Sequence, residues 1–406
     1  MPNLTCQHFG VCGGCSLLPL PYEEQVAKKQ AALQKTLSAF WSNDIPVTLT
    51  DNPVYFRNKV ELGFCHQVKW RDDYDKNDPA NKTRPLEFEQ ALGFKLKGRW
   101  DRAVELKECH LFSPQLVPLT EALRTWAQKE NLSYYDQRKH TGVLRHLMVR
   151  EGKNTGDQLV VLFVTDDFNE KTFVAAVESV LPQANIMAAV NNGLADTAAP
   201  ESLRVLKGKD HIFEKIQLAG PDGKMEREIL FKLSAQSFFQ TNTLTAQKMY
   251  ARVRQEVKKR APRRLYDLYG GAGSFSLSCA DLCEESICVE SVAPAIYNGI
   301  ENAKLNHVDN VRFFCSKVED FVKQQPLEKE QALIILDPPR GGMHPKAAKA
   351  VAESGVKSLL YISCNPVTLA NDLQILTPHY RLTHVEAFDF FPHSDHIETF
   401  VQLELK

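Results

Sequence analysis

A cysteine directly follows an apolar segment in the last part of the sequence. The segment Ser358–Ser363 has the composition of a buried strand, and Cys364-Asn365-Pro366 comes next, before a predicted helix. A thiol at a strand end and near a helix N-terminus lies in the positive field of the helix dipole, which lowers its pKa. The rigid Asn-Pro turn favours a functional role over simple packing. We therefore predict that Cys364 reacts as a thiolate nucleophile.

A glycine-rich turn forms the second candidate site. Gly270, Gly271 and Gly273 follow another apolar segment, and Glu290 ends the next predicted strand. The glycines allow a ligand to approach the backbone at a helix N-terminus, and an acidic residue about twenty positions downstream can accept hydrogen bonds from ribose hydroxyls. The pattern predicts a site for a nucleoside-containing cofactor, although such turns also connect strands to helices without a ligand.

The type of cofactor is narrowed by features that the sequence lacks. A dinucleotide site has a small residue at the third position of GxGxxG, and counting from Gly271 that position holds Ser276. No GKS or GKT phosphate loop occurs. S-adenosylmethionine (SAM) carries no phosphate and needs only the turn and the ribose acid, and Asp337-Pro-Pro-Arg340 after a later strand agrees with it. We therefore predict a SAM site.

The cysteines form a third group of candidate residues. Cys6, Cys12 and Cys15 lie close together in the sequence, with two glycines between the last two, and Cys109 is distant. Four such thiolates could hold tetrahedral zinc or an iron–sulfur cluster, and spacing alone does not distinguish the two. Another group falls on a predicted helix and the following strand, where small thiols pack well, so we expect packing there: Cys279, Cys283 and Cys288.

The composition is that of a globular protein. The chain has 406 residues, of which 43% are hydrophobic and 24% charged, and this length predicts two or three domains. Ten cysteines are too few for a disulfide scaffold. No segment approaches ~18 consecutive apolar residues, and the first residues lack the features of a secretory signal. We expect no membrane contact and a cytoplasmic location.

The charge of the chain limits the ways in which it could bind a polyanion. A formal net charge of −1 excludes a general nucleic-acid coat protein, so such a site must be local. Several short segments are basic, although such a group is more often a solvated face than a phosphate contact. They are Arg57 with Lys59; Lys95, Lys97 and Arg99; Arg138 to His140; Arg145 with Arg150; and Lys258 to Arg264.

The sequence has two parts that differ in their predicted secondary structure. Up to about residue 230 it is typical of irregular α+β structure, with a polar stretch from Trp70 to Gln90 expected to form an exposed hairpin or loop. After Thr243, short apolar strands alternate with helices, which predicts a doubly wound, mostly parallel α/β sheet of the Rossmann-like type. We predict regions at 1–120 with the cysteine site, 121–235 as a central α+β RNA-binding region, and 236–406 as the cofactor-binding domain.

Several segments match a known family in order along the chain. They are YFRNKV (55–60), GVLRHLMVR (142–150), SFFQTN (237–242), DLYGGAGSFSL (267–277), DPPRGG (337–342), YISCNPVTLANDL (361–373) and FPHSDHIE (391–398). Together they resemble the signature of the RNA uracil-5-methyltransferases, which are class I SAM-dependent enzymes. One departure is Gly270, where the family commonly has cysteine.

The resemblance implies a role for individual residues. Cys364 would add to C6 of uracil, which makes C5 nucleophilic toward the methyl group of SAM, and Glu398 would then remove the C5 proton. The matching SAM-site positions are Gln240, Tyr269, Glu290 and Asp337, with Ser274 as a weaker candidate. Phe239 could be either a core residue or a base-stacking residue. The pattern of Cys6, Cys12, Cys15 and Cys109, in which ECHLF (108–112) supplies the last ligand, resembles the [4Fe-4S] site of the cluster-bearing branch of the family.

The resemblance also suggests an RNA target. The chain begins at the cysteine group without a preceding β-barrel, which favours the shorter 23S ribosomal-RNA type, acting as a monomer, over the barrel-bearing type. A transfer-RNA uracil methyltransferase remains an alternative. Two further alternatives remain: an enzyme acting on cytosine C5 or an adenine amino group, and a non-catalytic iron–sulfur RNA-binding protein.

Overall fold

The computed structural model describes residues 4–69, 87–196, 198 and 200–406. Within these residues the chain forms an eight-stranded sheet, a six-stranded sheet and a two-stranded hairpin. The strands are β1 (Val47–Thr48), β2 (Lys59–Val68), β3 (Phe88–Gly93), β4 (Leu144–Glu151), β5 (Gln158–Val164), β6 (Asn185–Val190), β7 (Ser202–Lys207), β8 (His211–Ala219), β9 (Met225–Ser234), β10 (Arg264–Leu268), β11 (Glu285–Glu290), β12 (Val311–Cys315), β13 (Ala332–Leu336), β14 (Ser358–Ser363), β15 (Tyr380–Phe388) and β16 (Glu398–Leu405). The α-helices are α1 (Tyr22–Leu37), α2 (Leu116–Lys129), α3 (Glu170–Glu178), α4 (Thr243–Arg260), α5 (Ser274–Cys279), α6 (Ala293–Leu305), α7 (Val318–Gln324), α8 (Pro345–Ala352) and α9 (Pro366–Leu376).

The eight-stranded sheet confirms the doubly wound, mostly parallel arrangement predicted for the C-terminal part. Its strand order is β1-β15-β16-β14-β13-β10-β11-β12. The strands β10 to β14 are mutually parallel, whereas β16 runs antiparallel to both β14 and β15. The chain winds outward in both directions from β10, so the ends of β10, β11 and β13 flank the point at which such sheets bind ligands.

Side chains of the central strands alternate between two cores. Leu265 of β10 and Ile335 of β13 point to one face and pack with Tyr250 of α4. Their neighbours Tyr266 and Ile334 point to the other face, where α8 and α9 cover them. Because both faces are covered by helices, β13 is apolar throughout and β10 has charged side chains only at Arg264 and Asp267, which is why their positions are evident in the sequence.

An N-terminal segment also belongs to this sheet. Strand β1 pairs in parallel with β15, and Leu33, Leu37 and Ile45 lie in the same core as α8 and α9. Lys29 of α1 forms a buried ion pair with Asp389, with Nζ 2.7 Å from Oδ1. The predicted first region, 1–120, therefore includes a segment that packs on the C-terminal sheet.

The six-stranded sheet has the order β3-β2-β4-β5-β6-β7 and so includes strands from both predicted N-terminal regions. One face is covered by α2 and α3, where Leu147 and Leu162 contact Trp126. From the other face, Met148 and Val161 join a core that continues through the β8–β9 hairpin and α4 to the large sheet.

Of the polar stretch predicted from Trp70 to Gln90, residues 70–86 lie outside the described residues, and the rest enters β3. A search of the described helices finds none with the length and hydropathy needed to cross a membrane.

Candidate functional site

The register of two strands brings the predicted nucleophile and base together. Ser363 at the end of β14 pairs with Thr399 of β16, so the next residues outward on the two strands are Cys364 and Glu398. Cys364 is half-buried and Glu398 is buried. Directly opposed residues on antiparallel strands have Cβ atoms about 4.5–5.5 Å apart. A thiol open to solvent on one side therefore lies against a buried carboxyl.

Two turns hold the Cys364 segment in place. Asn365 caps α9, since its side chain accepts a hydrogen bond from the Val367 N–H at 3.2 Å. Its Nδ2 also donates to the carbonyl of Arg340 at 3.0 Å, and the Thr368 hydroxyl donates to the same carbonyl at 3.3 Å. The turn after β13 is thus bonded to the turn that carries the thiol. This explains physically why a polar Asn-Pro sequence follows the apolar strand.

The electrostatic surroundings of Cys364 differ from the sequence prediction. Burial, together with the negative charges of Glu398 and Asp337, raises the pKa of Cys364 to about 11, and Arg340 opposes this shift. The expectation of a lowered thiol pKa was therefore wrong. The helix dipole was considered in the sequence, but the two carboxyl groups that fold against the thiol were not.

The carboxyl groups are perturbed in the same sense. Burial and the neighbouring Asp267 raise the pKa of Asp337 to about 7. Burial and Asp337 raise the pKa of Glu398 well above its usual value. Both shifts oppose ionisation of the two acids, and the shift of Cys364 opposes ionisation of the thiol. Clusters of this kind are typical of sites that transfer protons.

A cleft lies beyond the carboxyl ends of β10, β11, β12 and β13. Its volume is about 410 Å³, within the roughly 300–1,000 Å³ range of small-molecule sites. Tyr269 and Glu290 line it, whereas Gln240, Ser274 and Asp337 are not among its lining residues. Asp337 is nevertheless adjacent, because Pro339 from the same turn lines the cleft.

The glycine turn shapes one wall of this cleft. Gly271 and Gly273 have positive φ angles of 56° and 76°, and Tyr269 also has a positive φ of 68°. The Glu290 carboxylate accepts hydrogen bonds from the Gly271 N–H at 3.3 Å and the Val292 N–H at 2.8 Å. Both oxygens of Glu290 are therefore oriented by the backbone at the cleft, and its role toward a ribose stays a prediction.

The two other predicted cofactor residues lie on neighbouring elements. Ser274 begins α5 and is hydrogen-bonded to the buried Tyr250 phenol. Gln240 lies just before α4, and its carbonyl accepts a hydrogen bond from Asn58 Nδ2 at 2.7 Å. The structure thus places Gln240 where the six-stranded sheet meets the C-terminal domain.

The departure from the family pattern at Gly270 has a packing explanation. A Cβ atom at this position would lie 2.5 Å from Sγ of Cys288 and 2.9 Å from the carboxyl carbon of Asp267. Cys288, which is buried, therefore fills the space next to Gly270. Cys279 is buried as well, and Cys283 packs at the edge of the same core, as expected for packing residues.

Some residues near the site were missed or misjudged in the sequence. Phe239 is 6% exposed and packs on Phe231, whereas its neighbour Phe238 is 71% exposed. Lys317 and His344 line the cleft but were not predicted. Lys317 lies shortly after β12, so inspecting the end of every predicted strand would have found it.

The four N-terminal cysteines converge on one cavity. Cys6, Cys12, Cys15 and Cys109 all line it, and each is unpaired. Cys12 Sγ accepts the Gly14 N–H at 3.3 Å, and Cys109 Sγ accepts the Leu111 N–H at 3.4 Å. Among the described residues, no group of three or more His, Cys, Asp or Glu side chains has the arrangement of a metal-ion site. The metal site therefore stays a prediction.

Comparison with known proteins gives one consistent result. Residues 197–406 match the profile of the tRNA (Uracil-5-)-methyltransferase family. Two proteins described as uncharacterised RNA methyltransferases are similar over 99% of this chain. The one from Bacteroides thetaiotaomicron is 30% identical and covered over 87% of its length, and the one from Clostridium tetani is 31% identical and covered over 84%. The crystal structure of Pyrococcus abyssi tRNA (uracil-54, C5)-methyltransferase in complex with S-adenosyl-L-homocysteine shares the fold, with a TM-score of 0.75, 24% identity, and coverage of 97% of this chain and 86% of that one.

Proposed function

Because the chain belongs to the tRNA (uracil-5-)-methyltransferase family and is thus an RNA methyltransferase, we propose that it transfers a methyl group from SAM to C5 of a uridine in RNA. The observation that carries this proposal is the pairing of β14 with β16, which sets Cys364 against Glu398. A nucleophile and a proton acceptor at adjacent positions are what the C5 reaction needs.

The reaction assigns each residue a step. The Cys364 thiolate forms a bond to C6 of uracil, and the electron pair of the C5–C6 double bond moves so that C5 carries negative charge. Bound SAM would supply the methyl group: its methyl–sulfur bond would break as C5 bonds to the methyl carbon, which leaves S-adenosyl-L-homocysteine. Glu398 as carboxylate removes the C5 proton, and the released electron pair re-forms the double bond as the Cys364–C6 bond breaks. The enzyme returns to a free thiolate and a protonated Glu398, which loses its proton to solvent.

The raised pKa of Cys364 indicates when the thiolate forms. A thiol that lies against two carboxyl groups ionises poorly until a cation joins them. Arg340 acts in this sense already. The sulfonium charge of SAM would add to it, and Tyr269 and Glu290 in the cleft would hold the adenosine part. We therefore expect the Cys364 thiol to become reactive mainly when the cofactor is bound.

The covalent step has a direct test. RNA that contains 5-fluorouridine cannot lose a proton from C5, so it should remain attached to the wild-type protein as a denaturation-resistant complex with SAM present. Cys364→Ala should give no such complex, and an equal yield from that variant would refute the assignment. Glu398→Gln should accumulate an adduct with unmodified RNA, and unchanged turnover would remove Glu398 from the reaction.

We propose 23S ribosomal RNA as the target, with transfer RNA as the alternative. The resemblance of the cysteine pattern to the cluster-bearing ribosomal branch supports the first. The name of the family and of the Pyrococcus abyssi protein favours the second. Mapping 5-methyluridine in both RNA classes from a strain that lacks the gene separates them, because the modification should disappear from one class only.

We also propose that the cysteine cavity holds a [4Fe-4S] cluster. Four thiols face one cavity, and two of them accept backbone N–H bonds, as cluster thiolates commonly do. Burial raises the pKa of Cys12 and of Cys15, and the positive charge of Arg57 nearby opposes this shift. Anaerobic purification followed by iron and sulfide analysis tests the cluster, which should be lost in Cys15→Ser. Stoichiometric zinc without iron would overturn it.

A further inference from the structure

A basic and aromatic surface outside the catalytic site lies on the first part of the chain. We call it the Trp100 surface and define it as Phe88, Lys97, Arg99, Trp100, Arg102, Arg138 and Lys139. Trp100 is 58% exposed, and Phe88 is exposed as well. Exposed tryptophan is uncommon on a protein that does not use it for binding, because the indole is large and mostly apolar.

The turn that carries Trp100 has a fixed backbone. The Arg99 N–H donates to the Leu96 carbonyl at 3.0 Å, and the Leu96 N–H donates to the Arg102 carbonyl at 3.1 Å. Lys95 Nζ donates to the carbonyl of Trp100 itself at 2.9 Å. The indole is thus held out from a bonded turn, so that little conformational entropy is lost when a ligand stacks on it.

Two arginines beside Trp100 share one carboxylate. Arg99 donates to Asp101 through Nε and Nη2, both at 2.9 Å, and Arg138 donates through Nε at 2.9 Å and Nη2 at 2.7 Å. Asp101 is buried, whereas the Arg138 side chain is largely exposed. A guanidinium has five N–H donors, so each arginine keeps donors for a further anion. The buried carboxylate therefore orients two cations toward solvent.

Further cations extend the surface to Phe88. Lys139 Nζ lies 5.5 Å from the centre of the Phe88 ring. The same ring is stacked on the ring of His66. Arg102 lies close to Arg99 and Arg138, and Lys97 is exposed on the same turn. The carboxylates that pair with Arg99, Arg138 and Lys139 are those of Asp101 and Asp136, and both of these residues are buried.

Hydrogen bonds connect this surface to the loop that precedes Glu398. The Lys97 N–H donates to the Val11 carbonyl at 2.9 Å, next to the cysteine loop. At the end of that loop the Ser16 N–H donates to the His393 carbonyl at 2.8 Å, and the Ser16 hydroxyl bonds to Asp395 at 2.7 Å. His393 lies five positions before Glu398 in the sequence. The Trp100 surface and the base are thus attached to opposite sides of one loop.

We propose that the Trp100 surface binds a single-stranded segment of the substrate RNA, with Trp100 stacking on a base and Arg138 and Lys139 contacting phosphates. This inference rests on the proposed function, since it assumes that RNA is the substrate. Aromatic side chains interleaved with cations are the pattern by which proteins hold single strands without reading their sequence. The surface would hold RNA that flanks the target uridine while the uridine itself enters the catalytic site.

The test measures binding and methyl transfer separately. A fluorescent single-stranded oligouridylate is titrated with the full-length protein over a series of potassium chloride concentrations. We expect Trp100→Ala to weaken binding roughly tenfold, as for the loss of one stacked base, and Trp100→Phe to retain most of the affinity. Arg138→Ala/Lys139→Ala should reduce the slope of log K against log salt by about 1.4, or about 0.7 per lost phosphate contact.

A matched charge control is available on the far side of the protein. Lys329 and Lys357 are exposed and lie before β13 and β14, at the opposite end of these strands from Cys364. Lys329→Ala/Lys357→Ala removes the same charge and should leave the salt slope unchanged. Equal affinity of Trp100→Ala and wild type, or an equal loss in Trp100→Phe and Trp100→Ala, would overturn the stacking assignment. An unchanged slope in Arg138→Ala/Lys139→Ala would overturn the phosphate contacts.

Methyl transfer distinguishes this inference from the proposed function. With labelled SAM and a range of RNA concentrations up to saturation, Trp100→Ala should keep the wild-type kcat and show an increased KM for RNA, because the indole lies outside the catalytic group. If wild type transfers methyl groups but the variants keep its KM and affinity, the surface is refuted and the function stands. If wild type binds RNA through Trp100 but transfers no methyl group, the function is refuted and the surface stands.

Discussion

Removing the charge of Glu398 should lower the pKa of Cys364. The negative charge of Glu398 raises the pKa of Cys364, and after burial it is the largest contribution. With about 5 Å between cross-strand neighbours and an effective dielectric constant of about 20, two unit charges interact by about 3 kcal/mol. Since one pKa unit corresponds to about 1.4 kcal/mol, Glu398→Gln should lower the pKa of Cys364 by about two units. The estimate applies at alkaline pH, where Cys364 titrates and Glu398 is ionised.

The change should be visible as thiol reactivity. A pKa of about 11 leaves on the order of one thiol in a thousand ionised at pH 8. A fall of about two units would raise this fraction roughly a hundredfold. The rate of iodoacetamide alkylation is measured against pH in the absence of RNA and SAM. Mass spectrometry of the peptide that contains Cys364 separates this thiol from the other cysteines.

Two results would refute the reasoning. An alkylation pKa that is unchanged in Glu398→Gln would mean that the carboxyl is protonated throughout the titration or too distant to act. A higher alkylation pKa in Glu398→Gln than in the wild type would mean that the Glu398 carboxylate accepts the thiol proton and promotes ionisation of Cys364. A matched control is Glu404→Gln, because Glu404 lies on the same strand but pairs with Ser358 at the other end of β14. It should leave Cys364 unaffected.

Three further predictions follow from the same contacts. Arg340→Ala should raise the pKa of Cys364, since Arg340 lowers it, and alkylation should slow at a given pH. Asp337→Asn should increase the free energy of unfolding in urea by up to a few kcal/mol at pH 8, but not at pH 3.5. The reason is that a carboxyl whose folded-state pKa is about 7 favours folding at low pH and loses that contribution as the pH rises through this value. Gly270→Ala should lower the free energy of unfolding by about 1–3 kcal/mol through overpacking, and adding Cys288→Ala should recover part of that loss. Additive losses in denaturant titrations would contradict the proposed contact.

The sequence is most informative where burial is symmetrical. Strands β10, β13 and β14 are buried on both faces and are therefore mostly apolar, although Asp267 in β10 and the terminal serines of β14 are buried polar residues, and the helices between these strands end at recognisable turns. The placement of α1 and β1 against the C-terminal sheet could not be predicted, because their partners Val385 and Ala387 are distant in sequence and no local pattern records such pairing.

The site was partly predictable for a related reason. Cys364, Glu290 and the glycine turn follow strand ends, and strand ends of one parallel sheet meet at one edge. Phe238 and Phe239 show the limit, since adjacent phenylalanines are equivalent in composition and only the fold exposes one and buries the other. The Trp100 surface is a similar case. Its cations come from two turns that meet only because Asp101 binds both Arg99 and Arg138.

The pKa of Cys364 shows why residue types and positions alone do not determine reactivity. The thiol position after β14 was correctly predicted, and so was the N-terminus of α9 beside it. Burial is the first cause that reverses the expected pKa, and the register of β16 adds to it, because Ser363 pairs with Thr399 and Glu398 is therefore the next residue outward beside Cys364. A shift of one residue would turn the carboxylate to the other face of the sheet and leave the thiol without its base. In the mechanism that we propose, the same register therefore both opposes formation of the thiolate in the free protein and supplies the proton acceptor for the later step, so a bound cation would be needed to begin the reaction but not to complete it.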